Sequence, residues 1–262
     1  MTEWVHLFLR WTHVFAAILW VGTTYYFTWL DGQLRRLEAR GGGAVWMLHS
    51  GGFYTVQKQK ALGVPPSEVH WFRWEAMVTW VSGFMLLGLL YYGGGLMVAI
   101  DSDVSNGAAV GAGIGTLIAG WIVYDLLARS PLVRNDYAFG AVAFTLILAL
   151  AFALYSIISP RATYIHIGAL FGTIMAANVW MRILPPQRRM IAAAARGEAI
   201  DPSLGAGAKE RSKHNTFLAV PAVFLMISNH FPTQTYGSRY SLVVLGVLVI
   251  VGWVAAGGIR RG

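Results

Sequence analysis

The stretch RWTHVFAAILWVG, Arg10–Gly22, is apolar over most of its length, yet it opens with an arginine and carries His13 three residues later. It lies in a run, Trp11–Leu30, long enough for a transmembrane helix, which needs about 20 mainly apolar residues. Six further runs follow at Trp74–Tyr92, Val110–Leu127, Phe139–Ile158, Tyr164–Leu184, Phe217–His230 and Leu242–Ala256. The sixth is short, holds Pro221 and ends in Ser228-Asn229-His230. Such interruptions are tolerated at membrane depth where protein or a cavity satisfies the freed backbone groups. Composition agrees: 56% of residues are hydrophobic and 12% charged, and an ordinary soluble domain carries about twice that share of charge. The expected fold is all-α, a polytopic bundle of about seven transmembrane helices forming one domain over residues 1–262.

Met1 to Glu3 is acidic and no small-residue cleavage site follows, so no cleavable signal peptide is expected. Cysteine is absent, which excludes disulfides, thiolate metal ligands, a catalytic thiol and a covalent c-type haem site. The net charge of +8 is unevenly placed. Arg35 to Arg73, Arg129 and Arg134, Arg182 to Lys213, and Arg260-Arg261 hold 17 of the 20 basic residues, and the opposite side keeps Arg10, Arg161 and Arg239. Positive-inside counting puts the N-terminus outside and the C-terminus in the cytoplasm. The charge is a topology signal, with membrane lipid as its partner and no nucleic acid. Two long cytoplasmic loops, 31–70 and 185–213, are expected to carry amphipathic helices at the interface.

Spans one and five run in the same direction, so matching positions share a depth. His13-Val14-Phe15-Ala16 resembles His166-Ile167-Gly168-Ala169, with Arg10 and Arg161 lying outward of the two imidazoles. Two neutral imidazoles suit the axial ligation of a b-type haem, and guanidinium groups suit its propionates. His13 and His166 are therefore candidate iron ligands, with His230 as an alternative and Arg10 and Arg161 beside them. An interhelical hydrogen bond from each histidine and outward-snorkelling arginines remain the competing account.

The start of span two, VHWFRWEAMVTW, brings His70, Trp71, Arg73, Trp74 and Glu75 together. A carboxylate inside an apolar run is costly without a partner. Asp125, Asn178 and Arg182 are similarly out of place for lipid-facing positions, and Asn178 and Arg182 are four residues apart on one helix face. These groups fit either a pocket for a planar, anionic, hydrogen-bonding heterocycle or a proton relay.

The strings HSGGFYTVQK, HWFRWEAMVTWVSGF, HIGALFGTIMAANVWMRILPPQRRM and AKERSKHNTFLAVPAVFLMISNHFP resemble the bacterial membrane-bound urate oxidase (urate hydroxylase) family over nearly the whole chain. The resemblance implies oxidation of urate to 5-hydroxyisourate in the bacterial inner membrane. Members typically continue into one more helix and a periplasmic cytochrome c domain. This sequence ends after its seventh span, so either a separate periplasmic cytochrome c accepts the electrons or the chain is a shortened form. Joined to the residue reading, the resemblance leads us to expect urate on Arg73 or Arg182, stacked on Trp71 or Trp74. Glu75 or His70 would be the base for water addition, and haem b between His13 and His166 would carry electrons outward. A site nearer mid-membrane would use Thr173 and Asn178. Self-association into a homo-oligomer is compatible with the chain. The rival readings are a haem b cytochrome moving electrons from quinol without urate chemistry, and a purine or proton transporter. Against the transporter, the sequence has no clear inverted-repeat symmetry.

Overall fold

A computed structural model describes residues 2–59, 69–99 and 101–261. Its helices are α1 (Thr2–Ala39), α2 (Trp74–Leu86), α3 (Asn106–Leu127), α4 (Asp136–Tyr155), α5 (Pro160–Ala177), α6 (Leu184–Ala195), α7 (Pro202–Ile227) and α8 (Ser241–Arg261). A wide π-helical turn, Leu87–Tyr92, extends α2, and a second, Asn178–Ile183, joins α5 to α6. Several helices start where their sequence caps them. Ser105, Asn135, Ser159 and Asp201 each accept a hydrogen bond from a first-turn amide, and Pro160 and Pro202 sit in the first turns of their helices.

Among the described residues, six helical stretches are long and apolar enough to cross a bilayer: α1, α2 with its π turn, α3, α4, the continuous α5–α6 rod, and α8. The sixth run of the sequence forms the outer half of α7, which begins at Pro202 rather than Phe217. Its polar first half is helical because Ala208, Arg211, His214 and Asn215 are buried against protein. The fifth run likewise continues through α6 to Ala195, so loop 185–213 is largely helix. Loop 31–70 differs from expectation. Helix α1 continues to Ala39, where Gly41, Gly42 and Gly43 take positive φ and stop it. An antiparallel hairpin then follows, β1 (Val45–His49) and β2 (Gly52–Val56). Its two-residue turn, Ser50-Gly51, has φ of 50° and 78°, matching the handedness that tight hairpins require. The aromatic and β-branched run FYTV favours a strand, and a helical reading overlooked it. The remainder of that loop, 60–68, including Lys60, lies outside the described residues.

Contacts between helix ends sort the bundle into two poles. At the basic pole, Tyr25 Oη donates to the Thr216 carbonyl at 2.8 Å, Arg36 to the Arg261 carbonyl at 2.8 Å, and Lys213 pairs with Asp136 at 2.7 Å. At the other pole, Arg161 Nε donates to Asn229 Oδ1 at 2.9 Å, and the Ser159 amide donates to the Met97 carbonyl at 2.7 Å. Successive rods therefore alternate in direction, with α5–α6 counted as one.

Helix α5 is the centre. In its apolar window 56% of residues are buried, against 11–28% in the other five. Tyr164, His166, Ile167 and Phe171 are fully enclosed. The outer helices show the reverse pattern: Trp4, Phe8, Trp11, Phe15 and Ile18 of α1 form an exposed apolar stripe at helical spacing. A stripe this long marks a surface that meets lipid or protein. Small residues let the inner helices approach closely, as in membrane bundles generally. A Cβ placed on Gly252 of α8 would lie 2.8 Å from Pro221 Cδ and 3.0 Å from Pro221 N, atoms of a rigid ring in α7. Gly252→Ala should therefore cost about 1–3 kcal/mol, the usual range for overpacking. A lowered melting temperature of the detergent-solubilised protein would register it, and an unchanged one would show that α8 simply shifts aside.

Candidate functional site

The π turn Asn178–Ile183 organises the polar interior. Residues four apart in a turn wider than an α-helical one still face one side, and Asn178 and Arg182 both reach towards α3 and α7. Arg182 forms a two-pronged ion pair with Asp125 of α3, Nε to Oδ1 at 2.8 Å and Nη2 to Oδ2 at 2.6 Å. Arg211 of α7 reaches the same carboxylate at 2.8 Å, and Arg129 reaches it at 2.7 Å. Asp125 and Arg211 are buried, with side-chain exposures of 9% and 7%, while Arg182 keeps 33%. One carboxylate thus serves three guanidiniums, which leaves two positive charges uncompensated within the cluster.

Asn178, fully buried, continues the network. Its amide donates to Tyr124 Oη at 2.8 Å and to Asn215 Oδ1 at 2.9 Å, and it accepts from Arg211 at 3.4 Å. Asn215 is tied in turn to the Met175 carbonyl at 3.0 Å. Tyr124 Oη lies 2.8 Å from His214 Nδ1, and His214 Nε2 lies 3.2 Å from Glu210 Oε1. The Arg211 guanidinium stands over the Tyr124 ring at 5.2 Å, a separation at which cation–π attraction operates. Tyr124 and His214 also border an apolar cavity of about 1090 Å³ among α3, α4, α5, α7 and α8, with Lys213 and Asp136 at its polar end.

The sequence candidates divide around the π turn. Asn178 and Arg182 lie in the cluster. Arg73 instead sits between Trp74 and Trp180, 5.3 and 5.9 Å from the two ring centroids. Arg73 Nε and Trp180 Nε1 are both buried without a hydrogen-bond partner. Thr173 accepts from Trp80 Nε1 at 3.1 Å. His70 is exposed and packs edge-on against Phe72. Glu75 is half-buried in the first turn of α2, and Trp71 is half-buried beside the core. The structure does not bring Glu75 or His70 into the arginine cluster. The residues that sequence reasoning did not select are Arg211, Tyr124, His214, Asn215 and Glu210. The signal was present in ERSKHN, where Glu210 and His214, and Arg211 and Asn215, are each four apart and so share a helix face.

The histidines proposed for haem each have the ring orientation that metal ligation uses. His13 has Nδ1 2.9 Å from the Thr79 carbonyl, and His166 has Nδ1 2.8 Å from the Ala162 carbonyl. An Nδ1–H held by a carbonyl leaves Nε2 as the donor atom, the arrangement typical of a metal-ligating histidine. His13, however, packs on Thr79, Ser82 and Gly83 of α2. His166 Nε2 lies 3.3 Å from Tyr92 Oη, and a Cβ on Gly113 of α3 would meet it at 2.6 Å. The two rings are thus held by different neighbours, His13 by α2 and His166 by Tyr92 and α3. Arg10 bonds His6 at 2.9 Å, Arg161 is engaged by Asn229, and His230 is exposed. Among the described residues no three His, Cys, Asp or Glu side chains converge as a metal-binding group.

Searches of curated proteins and of solved structures return no match. A family profile does match, described as urate oxidase N-terminal, and it spans residues 1–257. With a helical bundle of membrane character and a buried cationic cluster at its basic pole, the chain belongs to the urate oxidase N-terminal family.

Proposed function

We propose that this protein is a urate oxidase of the bacterial inner membrane. It adds water to urate and gives 5-hydroxyisourate, two protons and two electrons. The observation that carries the reading is the pair of unmatched positive charges where Arg129, Arg182 and Arg211 meet Asp125. Urate is a planar anion at neutral pH, and arginine forks bind such oxygens by charge-assisted hydrogen bonds. Arg182, one-third exposed, is the arm that turns towards an incoming anion, and Asn178 and Arg211 supply further hydrogen-bonding groups. Arg73 Nε and Trp180 Nε1, unpartnered across the π turn, add donors and a stacking face. The membrane placement is seven crossings with the N-terminus outside. The alternating rods and the gathering of basic residues at one pole support it.

The electrons would leave to a separate cytochrome c-type acceptor on the outer side, with haem b as the group suited to hold them. A haem would supply one-electron storage between a two-electron oxidation and a one-electron acceptor. The carbonyl-bound Nδ1 atoms of His13 and His166, which leave Nε2 free to ligate, support an affinity for iron.

The test is direct. Detergent-purified protein, given urate and ferricyanide, should consume about two ferricyanide per urate, as a two-electron oxidation requires, and 5-hydroxyisourate should appear transiently in the ultraviolet. Protein that is folded and leaves urate intact with every acceptor tried would end this reading.

A further inference from the structure

We infer that Tyr124, His214 and Glu210 form a proton relay leading from the arginine cluster to the basic pole of the bundle, an inference that rests on the urate reading above. Oxidation with water addition releases two protons, and a buried cationic site is a poor place to leave them. Tyr124 and His214 are hydrogen-bonded, and Glu210 Oε1, buried and without a hydrogen-bond partner of its own, lies within ion-pair distance of the imidazole. Asn178 Nδ2 donates to Tyr124 Oη at 2.8 Å, so the tyrosine hydroxyl proton is directed at His214 Nδ1, also at 2.8 Å. With Nδ1 accepting, the imidazole proton resides on Nε2, which faces Glu210 Oε1 at 3.2 Å. Phe139 of α4 stacks on the His214 ring, with centroids 4.6 Å apart and planes 19° apart, and so fixes the plane in which the imidazole must act. Glu210 is 34% exposed as a side chain; its buried Oε1 lies 2.7 Å from Lys213 Nζ, and its exposed part opens at the basic pole.

The transfer balances without any change of oxidation state in the relay. Water loses a proton to Tyr124 Oη as its oxygen bonds the purine ring. The tyrosine's own proton passes to His214 Nδ1, and the Nε2 proton passes to Glu210 and then to solvent, which accounts for the proton of water; the second proton, given up by a purine N–H as the electrons leave, passes to solvent at the exposed Arg182 side of the cluster. The two electrons leave separately to the acceptor. The arrangement has the logic of a base held by an imidazole that a carboxylate orients. The charged groups around His214 are Glu210, Arg211 and Lys213 of its own helix, Asp125 of α3 and Asp136 from α4. Tyr124 and His214 also line the large cavity, which gives a small molecule a way to the imidazole.

The experiment uses the full chain, urate and ferricyanide. In His214→Ala, kcat should fall about tenfold. That is less than the roughly 10²–10⁴-fold that a group taking the proton directly supplies, because Tyr124 remains. KM for urate should stay within about threefold, since no substrate contact is removed. Added imidazole should restore most of the lost kcat in His214→Ala, and should restore none in Tyr124→Phe. A histidine that only packs would give no such rescue. If His214→Ala is folded and keeps its kcat, or loses it without response to imidazole, the relay is overturned while urate oxidation by the wild type stands. If His214→Ala does not fold, Glu210→Gln at the exposed end carries the test. It should lower kcat and leave KM in place, and an unchanged kcat overturns the relay. Wild-type protein that is folded but inert to urate overturns the parent reading and the relay with it.

Discussion

Replacing Asp125 by alanine should prevent this protein from being recovered folded, or lower its melting temperature by more than any other single polar substitution in the bundle. Asp125 is the common anion of Arg129, Arg182 and Arg211, and both it and Arg211 are buried. Ion pairs in such surroundings add modest net stability when complete, because desolvation offsets attraction. Removing one partner is different. It leaves the buried Arg211 guanidinium without its counter-ion and beside two like charges, at about 3–5 kcal/mol for an ordinary buried pair. Domains are stable by only about 5–15 kcal/mol in total, so one such loss removes much of the margin. Asp125→Asn, which keeps an acceptor oxygen and the side-chain volume, should fall between alanine and wild type. Sulfate should raise the melting temperature of Asp125→Ala more than that of the wild type by occupying the vacated position. The measurement is thermal unfolding in detergent with and without sulfate. An alanine variant as stable as the parent would mean that water already compensates the three guanidiniums.

Much of the architecture was legible in the sequence because the bilayer imposes a simple requirement. Helices must be long and apolar, and the runs at 74–92 and 110–127 meet that requirement almost residue for residue with α2 and its π turn and with α3. The inner half of α7 was not legible for the same reason. Its residues Glu210 to Asn215 look like a solvated cytoplasmic segment, and hydropathy has no means of telling a polar face turned to water from one turned to Asp125 and Asn178. The hairpin at 45–56 was hidden by a different cause, the expectation that membrane-edge segments are helical; its signal was the tight turn Ser50-Gly51 between strand-forming residues. At the candidate site, Asn178 and Arg182 share one face, as their spacing of four residues implies. Their partners come from helices distant in sequence, and only packing brings Tyr124, Asp125 and Arg211 to them. Arg73 and Glu75 are neighbours in the chain, and on that basis were joined to the same pocket. In the fold, Arg73 stands between Trp74 and Trp180 on the other side of the π turn.

Arg182 gives the complementary result, a large effect on urate and a small one on the fold. Its side chain is one-third exposed, whereas Arg211 is enclosed. When Arg182 is replaced by methionine, Asp125 keeps Arg211 at 2.8 Å and Arg129 at 2.7 Å, so no buried carboxylate is stranded. The aliphatic part of the side chain is retained, and only the guanidinium's contact over the Trp121 ring at 6.0 Å is lost. Stability should therefore change little. The affinity for an anion should change greatly, because a charge-assisted hydrogen bond contributes about 1.5–3 kcal/mol, equivalent to roughly 10- to 100-fold in an equilibrium constant. We expect kcat/KM for urate to fall by about that factor, mostly through KM, as when a binding contact common to ground and transition states is removed. Arg182→Lys should recover only part of the loss, since an ammonium supplies charge without the planar fork. Steady-state kinetics with ferricyanide, alongside a melting curve for each variant, separates the outcomes. A fall in kcat at constant KM would move Arg182 from holding the anion to acting on its oxidation. An unchanged kcat/KM would place urate elsewhere, and the unpartnered donors Arg73 Nε and Trp180 Nε1 would then mark the position to test next.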